Sequence, residues 1–254
     1  AIHSSFSQQN VNWDYNWSGY CAIEGYTYVP NYNFEQALID LGYDDVVDNY
    51  VLTENINSVT ELDVEDKGIS DLTGIEWFAS LITINCSYNN LSAIDVSSNQ
   101  ALVEINARNN QISSIDVSNN PLLTHVTLHN NEISSIDVSN NSLLVALGIA
   151  YNNLTSINVD NNPELEVLHF LGNDVVNLNI SSNSALELLN AMGNNLFSID
   201  LSNNTALTDL YIGGNDLTSL DVGNNSLLTA FTCENNNIDS LDVSNIQNSW
   251  KFDF

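Results

Sequence analysis

Positive charge is almost missing from this sequence. The 254 residues carry 3 Lys plus Arg against 32 Asp plus Glu, a formal charge of −29. Phosphate backbones and anionic lipid surfaces are held by clustered cations, and Lys67, Arg108 and Lys251 are too few to cluster, so a nucleic-acid partner is excluded. Long apolar runs are missing too. The best, Leu143 to Ala150, falls far short of the ~20 residues a bilayer span needs, so no membrane insertion is expected. A charged-then-apolar export leader is absent at Ala1-Ile2-His3-Ser4, which reads as a chain whose signal peptide has been removed or never existed. Neither a Gly-x-Ser-x-Gly elbow nor a phosphate-binding glycine loop, His-Glu-x-x-His or Cys-x-x-Cys appears, so no familiar catalytic motif is present. Hydrophobic residues nonetheless make up 43% and charged ones 14%, too apolar a mixture for a disordered acidic chain.

Asparagine is abundant, about one residue in six, and it is ordered. Asn89, Asn110, Asn131, Asn152, Asn173, Asn194, Asn215 and Asn236 recur every 21 residues. Around each runs one phrase, for example Leu123-x-x-Val126-x-Leu128-x-x-Asn131-x-Ile133-x-x-Ile136-Asp137-Val138. The period lies in the leucine-rich-repeat range. Apolar residues at the fourth and sixth positions predict a short strand with both side chains inward, and the asparagine then turns the chain while its amide satisfies buried backbone groups. With only 21 residues per coil, a helix hardly fits the return side, which should be extended or 3₁₀. One coil cannot bury its own apolar edge, so coils must stack. The predicted fold is a mainly β and loop solenoid, a right-handed leucine-rich-repeat superhelix with short parallel strands and an N-terminal helical cap.

The ends depart from the repeat. Residues 1–25 form a polar, aromatic segment (Trp13, Tyr15, Trp17, Tyr20) that either strengthens the cap or offers a sugar-stacking platform. Residues 26–58 read as a helical cap, with Asn33 as N-cap, Gln36 as its capping-box partner, an apolar face of Phe34, Ala37, Leu38 and Leu41, and Gly42 as the stop. The solenoid runs over 59–248, its first coil divergent and one residue longer. Residues 249–254 open a ninth coil, with Ser249, Phe252 and Phe254 in its first, fourth and sixth positions.

Cys86 and Cys233 share the inward sixth position seven coils apart, some 34 Å at ~4.8 Å per coil, and cannot pair. They read as small core residues. Whether Cys21 meets Cys86 is left open, and the three spacings match no zinc site.

The third, fifth and seventh positions of each strand should face outward on the concave side, with the eighth at its edge. Read down the coils, they place a small-to-apolar patch (Ala146, Ala150, Val167, Leu171, Leu188, Met192) among Arg108, His125, His129, Tyr151, His169 and Tyr211. An apolar patch with a polar rim marks an interaction site. The histidines should not share a metal: His125 and His129 lie about 13 Å apart on an extended strand, and His169 is two coils on. The outward return column Asp95, Asp116, Asp137, Asn158, Asn179, Asp200, Asp221, Asp242 is a weak Ca²⁺ candidate; flanking serines (Ser114, Ser118, Ser135, Ser139) offer the alternative of local hydrogen bonds, and a solvated acidic face is the plainer reading.

The phrases Thr27-Tyr28-Val29-Pro30, Asn33-Phe34-Glu35-Gln36-Ala37-Leu38-Ile39-Asp40, Gly68 to Glu76 and the repeated Ile-Asp-Val-Ser-x-Asn resemble secreted leucine-rich-repeat proteins of flavobacteria and other Bacteroidota. The repeat is also similar to that of one internalin branch. The resemblance implies export and surface display as a non-catalytic adhesion or recognition module, with a protein or polysaccharide partner and no resident cofactor. An architectural spacer and a carbohydrate-active enzyme are the rival readings. His125 or His169 near Asp209 is the one constellation for acid–base chemistry.

Overall fold

The computed structural model describes the backbone of residues 13–15, 21–246 and 252–253, and the side chains of residues 23–246. Two antiparallel pairs come first in the chain: β1 (Trp13–Tyr15) with β2 (Cys21–Ile23), and β3 (Tyr26–Tyr28) with β4 (Tyr50–Leu52). The 21-residue period then resolves into a ten-stranded parallel sheet of three-residue strands: β5 (Glu61–Asp63), β6 (Thr83–Asn85), β7 (Glu104–Asn106), β8 (His125–Thr127), β9 (Ala146–Gly148), β10 (Val167–His169), β11 (Leu188–Asn190), β12 (Asp209–Tyr211), β13 (Ala230–Thr232) and the two-residue β14 (Phe252–Asp253). Register never slips from β6 to β13: Ile84, Ile105, Val126, Leu147, Leu168, Leu189, Leu210 and Phe231 stand in one column. β14 places Phe252 beside Phe231, as the partial ninth coil requires. The fold is a parallel-strand leucine-rich-repeat solenoid.

Each coil contributes the same inward set, for example Leu144, Leu147, Ile149, Leu154 and Val159, all with essentially no exposed surface. The fourth and sixth positions are inward because a strand alternates sides. Between the ladder asparagine and the next strand the described chain is turn and extended loop, apart from one 3₁₀ turn at Ile75–Trp77.

The corner asparagines do what the period implies. Asn152 Nδ2 donates to Leu128 O of the preceding coil at 2.9 Å and to Ile149 O and Ala150 O of its own at 3.1 and 3.2 Å, while its Oδ1 accepts from Ile133 N–H at 2.9 Å. The pattern repeats from Asn110 to Asn236. A second buried ladder escaped the sequence reading although its period is the same: Asn99, Asn120, Asn141, Asn162, Asn183, Asn204 and Asn225 on the return side. Asn162 Nδ2 donates to Val138 O at 3.0 Å and Asn141 O at 2.8 Å of the preceding coil.

At the amino-terminal end, α1 (Tyr32–Asp40) lies between β3 and β4 in the chain. Its N-cap is Asn31, whose Oδ1 accepts from Phe34 N–H at 3.0 Å, and not Asn33 as the sequence suggested. Asn33 is spent on tertiary contact, donating to Gly68 O of the first coil at 2.6 Å, and Gln36 bonds Asp40 in place of the cap. Gly42 does stop the helix: it takes φ +82°, with Gly42 N–H on Ile39 O and Tyr43 N–H on Leu38 O. Phe34, Ala37 and Leu38 are buried, Phe34 stacking at 6.5 Å on Phe78 of the first coil, whereas Leu41 is exposed. Glu35 is the unforeseen buried group. Its Oε1 accepts from Asp48, Asn49 and Tyr50 N–H, tying the helix to β4, and burial raises its pKa.

Cys86 and Cys233 are buried free thiols. Burial pushes Cys86 up to about 12, which leaves it an inert core residue at neutral pH. The side chains of Cys21, Trp13, Tyr15, Trp17 and Tyr20 lie outside the described residues, so the aromatic segment does too; Cys86, a free thiol, carries no disulfide.

Candidate functional site

The sheet's outward face carries two aligned columns. Glu104, His125, Ala146, Val167, Leu188 and Asp209 stand in register, as do Asn106, Thr127, Gly148, His169, Asn190 and Tyr211. From β5 to β13 the middle residue is buried and its neighbours are less so, except that Gly148 of β9 is buried too, so His125 and Tyr211 share one flank. Leu171 and Met192, two residues beyond their strands, are half-buried, as are Val167 and Leu188 on the far side of the His169–Asn190 column. Ala150 is only 2% exposed, so the patch is narrower than expected: Gly148 and Ala150 form its floor, not its surface.

Side chains cross between coils wherever a neighbour is small. His129 does not stay on its own coil: its ring lies across Gly148, where a Cβ would come within 2.6 Å of Cε1 and Nε2, and meets the His169 ring at a centroid distance of 4.9 Å. The expectation that these two histidines stand apart is therefore wrong, because strand spacing limits where Cα atoms sit and not how far an imidazole reaches over a glycine. His129 Nδ1 accepts from Ala150 N–H at 2.9 Å, which assigns the neutral ring its proton on Nε2. Burial first, then the neighbouring His169 and Arg108 charges, pushes His129 down to about 4, and burial lowers His169 as well. Both are neutral at pH 7. His125 is exposed and separate, its Nδ1 2.8 Å from Thr124 Oγ1. Among the described residues no group of three or more His, Cys, Asp or Glu is placed to hold a metal.

Arg108 is engaged, not free. Its Nη2 lies 3.8 Å from Glu65 Oε1 and its guanidinium 5.1 Å over the Tyr88 ring. Tyr211 Oη donates to Asp209 Oδ1 at 3.3 Å, and burial followed by that carboxylate raises its pKa. Asp209 also accepts from Thr208 Oγ1 at 2.7 Å. Tyr151 is 55% exposed, with φ +54°. The position it occupies is left-handed in every coil: Asp66, Tyr88, Asn109, Asn130, Tyr151, Gly172, Gly193, Gly214 and Asn235.

The return column has a local explanation. Asp95, Asp116, Asp137, Asp200 and Asp242 each accept at Oδ1 from the N–H of the serine two residues on, at 2.9–3.0 Å, and Asp221 accepts from Gly223. Asn158 and Asn179 make the same turn. Ser118 and Ser139 thus serve through both hydroxyl and backbone. Their hydroxyl and N–H lower the pKa of Asp116 and Asp137. This turn asks for an Asx side chain at that point, which accounts for the column without a cation.

No known family model matches the chain. Its architecture is that of internalin-like leucine-rich-repeat domains. The functional domain of InlJ from Listeria monocytogenes is similar over 89% of this chain and 56% of that one, with TM-score 0.73 and 26% identity. Internalin C2 of L. monocytogenes strain 4b F2365 is similar over 91% and 98%, with TM-score 0.66 and 16% identity, a likeness of fold alone. In sequence, 46 residues are 39% identical to internalin J of L. monocytogenes serotype 4b, which is 18% of this chain and 5% of that protein. The InlJ domain includes a cysteine ladder; this chain has 3 cysteines in all, and its repeated corner is asparagine.

Proposed function

We propose that the chain is a non-catalytic, secreted or surface-displayed recognition module whose outward sheet face binds a protein partner. The observation that carries this reading is the set of half-buried apolar side chains Val167, Leu171, Leu188 and Met192 on one face, with His169 and Asn190 between the two pairs and Tyr211 one coil on. Such a face offers desolvated contact at its apolar side chains and polar groups beside them. Internalin-like repeat domains typically mediate protein–protein interaction, which supports the same use here. No described helix is long and apolar enough to cross a membrane.

The test is affinity capture and cross-linking of proteins from surfaces and culture fluid with the purified chain. L171D and M192D should each weaken capture of a given partner at least tenfold while leaving the melting temperature within about 2 °C, since both side chains are half-exposed. Equal capture by wild type and both variants would place the interface elsewhere. A pure spacer would return no partner.

A further inference from the structure

The left-handed column at the edge of the sheet holds a choice that the fold does not require. Coils that need positive φ here use glycine (Gly172, Gly193, Gly214), asparagine (Asn109, Asn130, Asn235) or aspartate (Asp66), residues suited to that backbone. Tyr88 at φ +56° and Tyr151 at φ +54° are the exceptions among the described coils. A bulky side chain there is disfavoured, and a disfavoured backbone conformation that persists points to use.

Both rings are built into platforms. Tyr88 is 47% exposed and backed on one face by the Arg108 guanidinium, which Glu65 holds in place. Tyr151 is 55% exposed and lies against the backbone of Gly172, where a Cβ would come within 2.8 Å of its Cδ1. Each ring leans on the following coil and keeps surface open to solvent. Three strand spacings separate the two positions, roughly 14 Å. Between them stand Asn109 and Asn130, joined by a 2.9 Å bond from Asn130 Nδ2 to Asn109 Oδ1; the amide hydrogens of Asn109 and the Oδ1 of Asn130 have no partner among the described residues.

We propose that the row Tyr88–Asn109–Asn130–Tyr151 is a binding site for an extended, uncharged polysaccharide. An aromatic face is amphipathic in the way a sugar ring is, apolar across its C–H groups and polar at its edge. Two backed rings with amides between them present stacking at the ends and hydroxyl recognition in the middle. The separation fits a short oligosaccharide and exceeds a single sugar. The chain's charge of −29 repels uronic-acid or sulfated glycans, which sets the class to neutral. This edge meets the Leu171–Met192 patch at Tyr151, whose N–H donates to Leu171 O at 2.8 Å, and runs away from it toward Tyr88.

The experiment is calorimetric titration of the whole chain with cellohexaose, xylohexaose, laminarihexaose and mannohexaose, with an alginate hexamer as the acidic control. At least one neutral hexamer should bind, its trimer at least tenfold more weakly, and alginate not at all. Y88G and Y151G should each lose at least tenfold in affinity while melting no lower than wild type, since glycine relieves the left-handed strain. Y151F should keep its affinity, because the ring and not the hydroxyl is used. F197A, which removes an exposed aromatic outside this row, should bind the hexamer as wild type does. Failure of all four neutral hexamers to bind, equal binding of alginate, or binding that survives Y88G and Y151G would overturn the proposal.

Discussion

The strand side and the return side of each coil solve the same problem with the same residue and reach different results. At the strand-side corner, Asn152 makes three donations and one acceptance, so every polar atom of its amide is used. On the return side, Asn162 makes two donations, and its enclosed Oδ1 has no hydrogen-bond partner, as is true of Asn99, Asn120, Asn141, Asn183, Asn204 and Asn225. The corner must satisfy both a carbonyl and an N–H that the turn leaves unpaired. The return side has only carbonyls to satisfy, and it tolerates an orphan acceptor to do so. Asparagine is chosen at both places for its donor; only at the corner is its acceptor also needed.

The largest expected effect tests that asymmetry. N152L should lower unfolding stability by about 4 kcal/mol and N162L by about 2 kcal/mol, at roughly 1 kcal/mol or more per bond removed. Denaturant melts of both variants check it, and equal losses would mean that the corner acceptor contributes nothing.

A middle-sized effect separates the two sides by pH. His129 is held neutral with its pKa lowered to about 4, so the unfolded chain binds the extra proton between about 6.5 and 4. Stability tied to it is intact above about pH 6.5 and is lost as pH falls toward 4. Return-side Asp116, Asp137 and Asp200 have lowered values, so their contribution is present above about pH 4 and lost only below it. Thermal melts from pH 7 to 3 should therefore show H129Q flattening the upper part of the curve. The triple variant D116N/D137N/D200N should flatten the lower part alone, and the reverse assignment would refute the division. At pH 7 the triple variant should keep its fold, because Asn158 and Asn179 already make the same turn, but melt slightly below wild type, because the carboxylate contribution is fully present there.

The smallest effect concerns cations. If turn chemistry accounts for the aspartate column, 5 mM CaCl₂ should raise the melting temperature by no more than MgCl₂ at equal ionic strength. A shift of several degrees specific to Ca²⁺ would reinstate a bound ion.

Much of the fold was legible because a solenoid repeats in space what it repeats in sequence. The period placed Asn89 to Asn236 at one corner, Cys86 and Cys233 inside, and His125 with Tyr211 on one flank. Where two roles compete for one residue type the reading failed. The sequence reading put the cap on Asn33, but that side chain is drawn to Gly68 O and Asn31 accepts from Phe34 N–H in its place. The Asn99 column carried the same 21-residue signal as the corner, but an asparagine beside serines and turns reads as exposed until stacking encloses it.

The sequence by itself determined which side of the coil each residue decorates, because position within a fixed period sets direction. It also determined that the surface is acidic and the core aliphatic. Only the tertiary structure decided which side chains leave their own coil: His129 crossing Gly148 to His169, Arg108 captured by Glu65 and Tyr88, Tyr151 resting on Gly172. The reason is physical. At Gly148 and Gly172 a neighbour's lack of a Cβ opens a path along the rod, and at Arg108 charge and ring attraction draw the side chain across; each takes the path when the packing it finds outweighs the hydration and freedom it gives up, a balance set between coils and written in no single one.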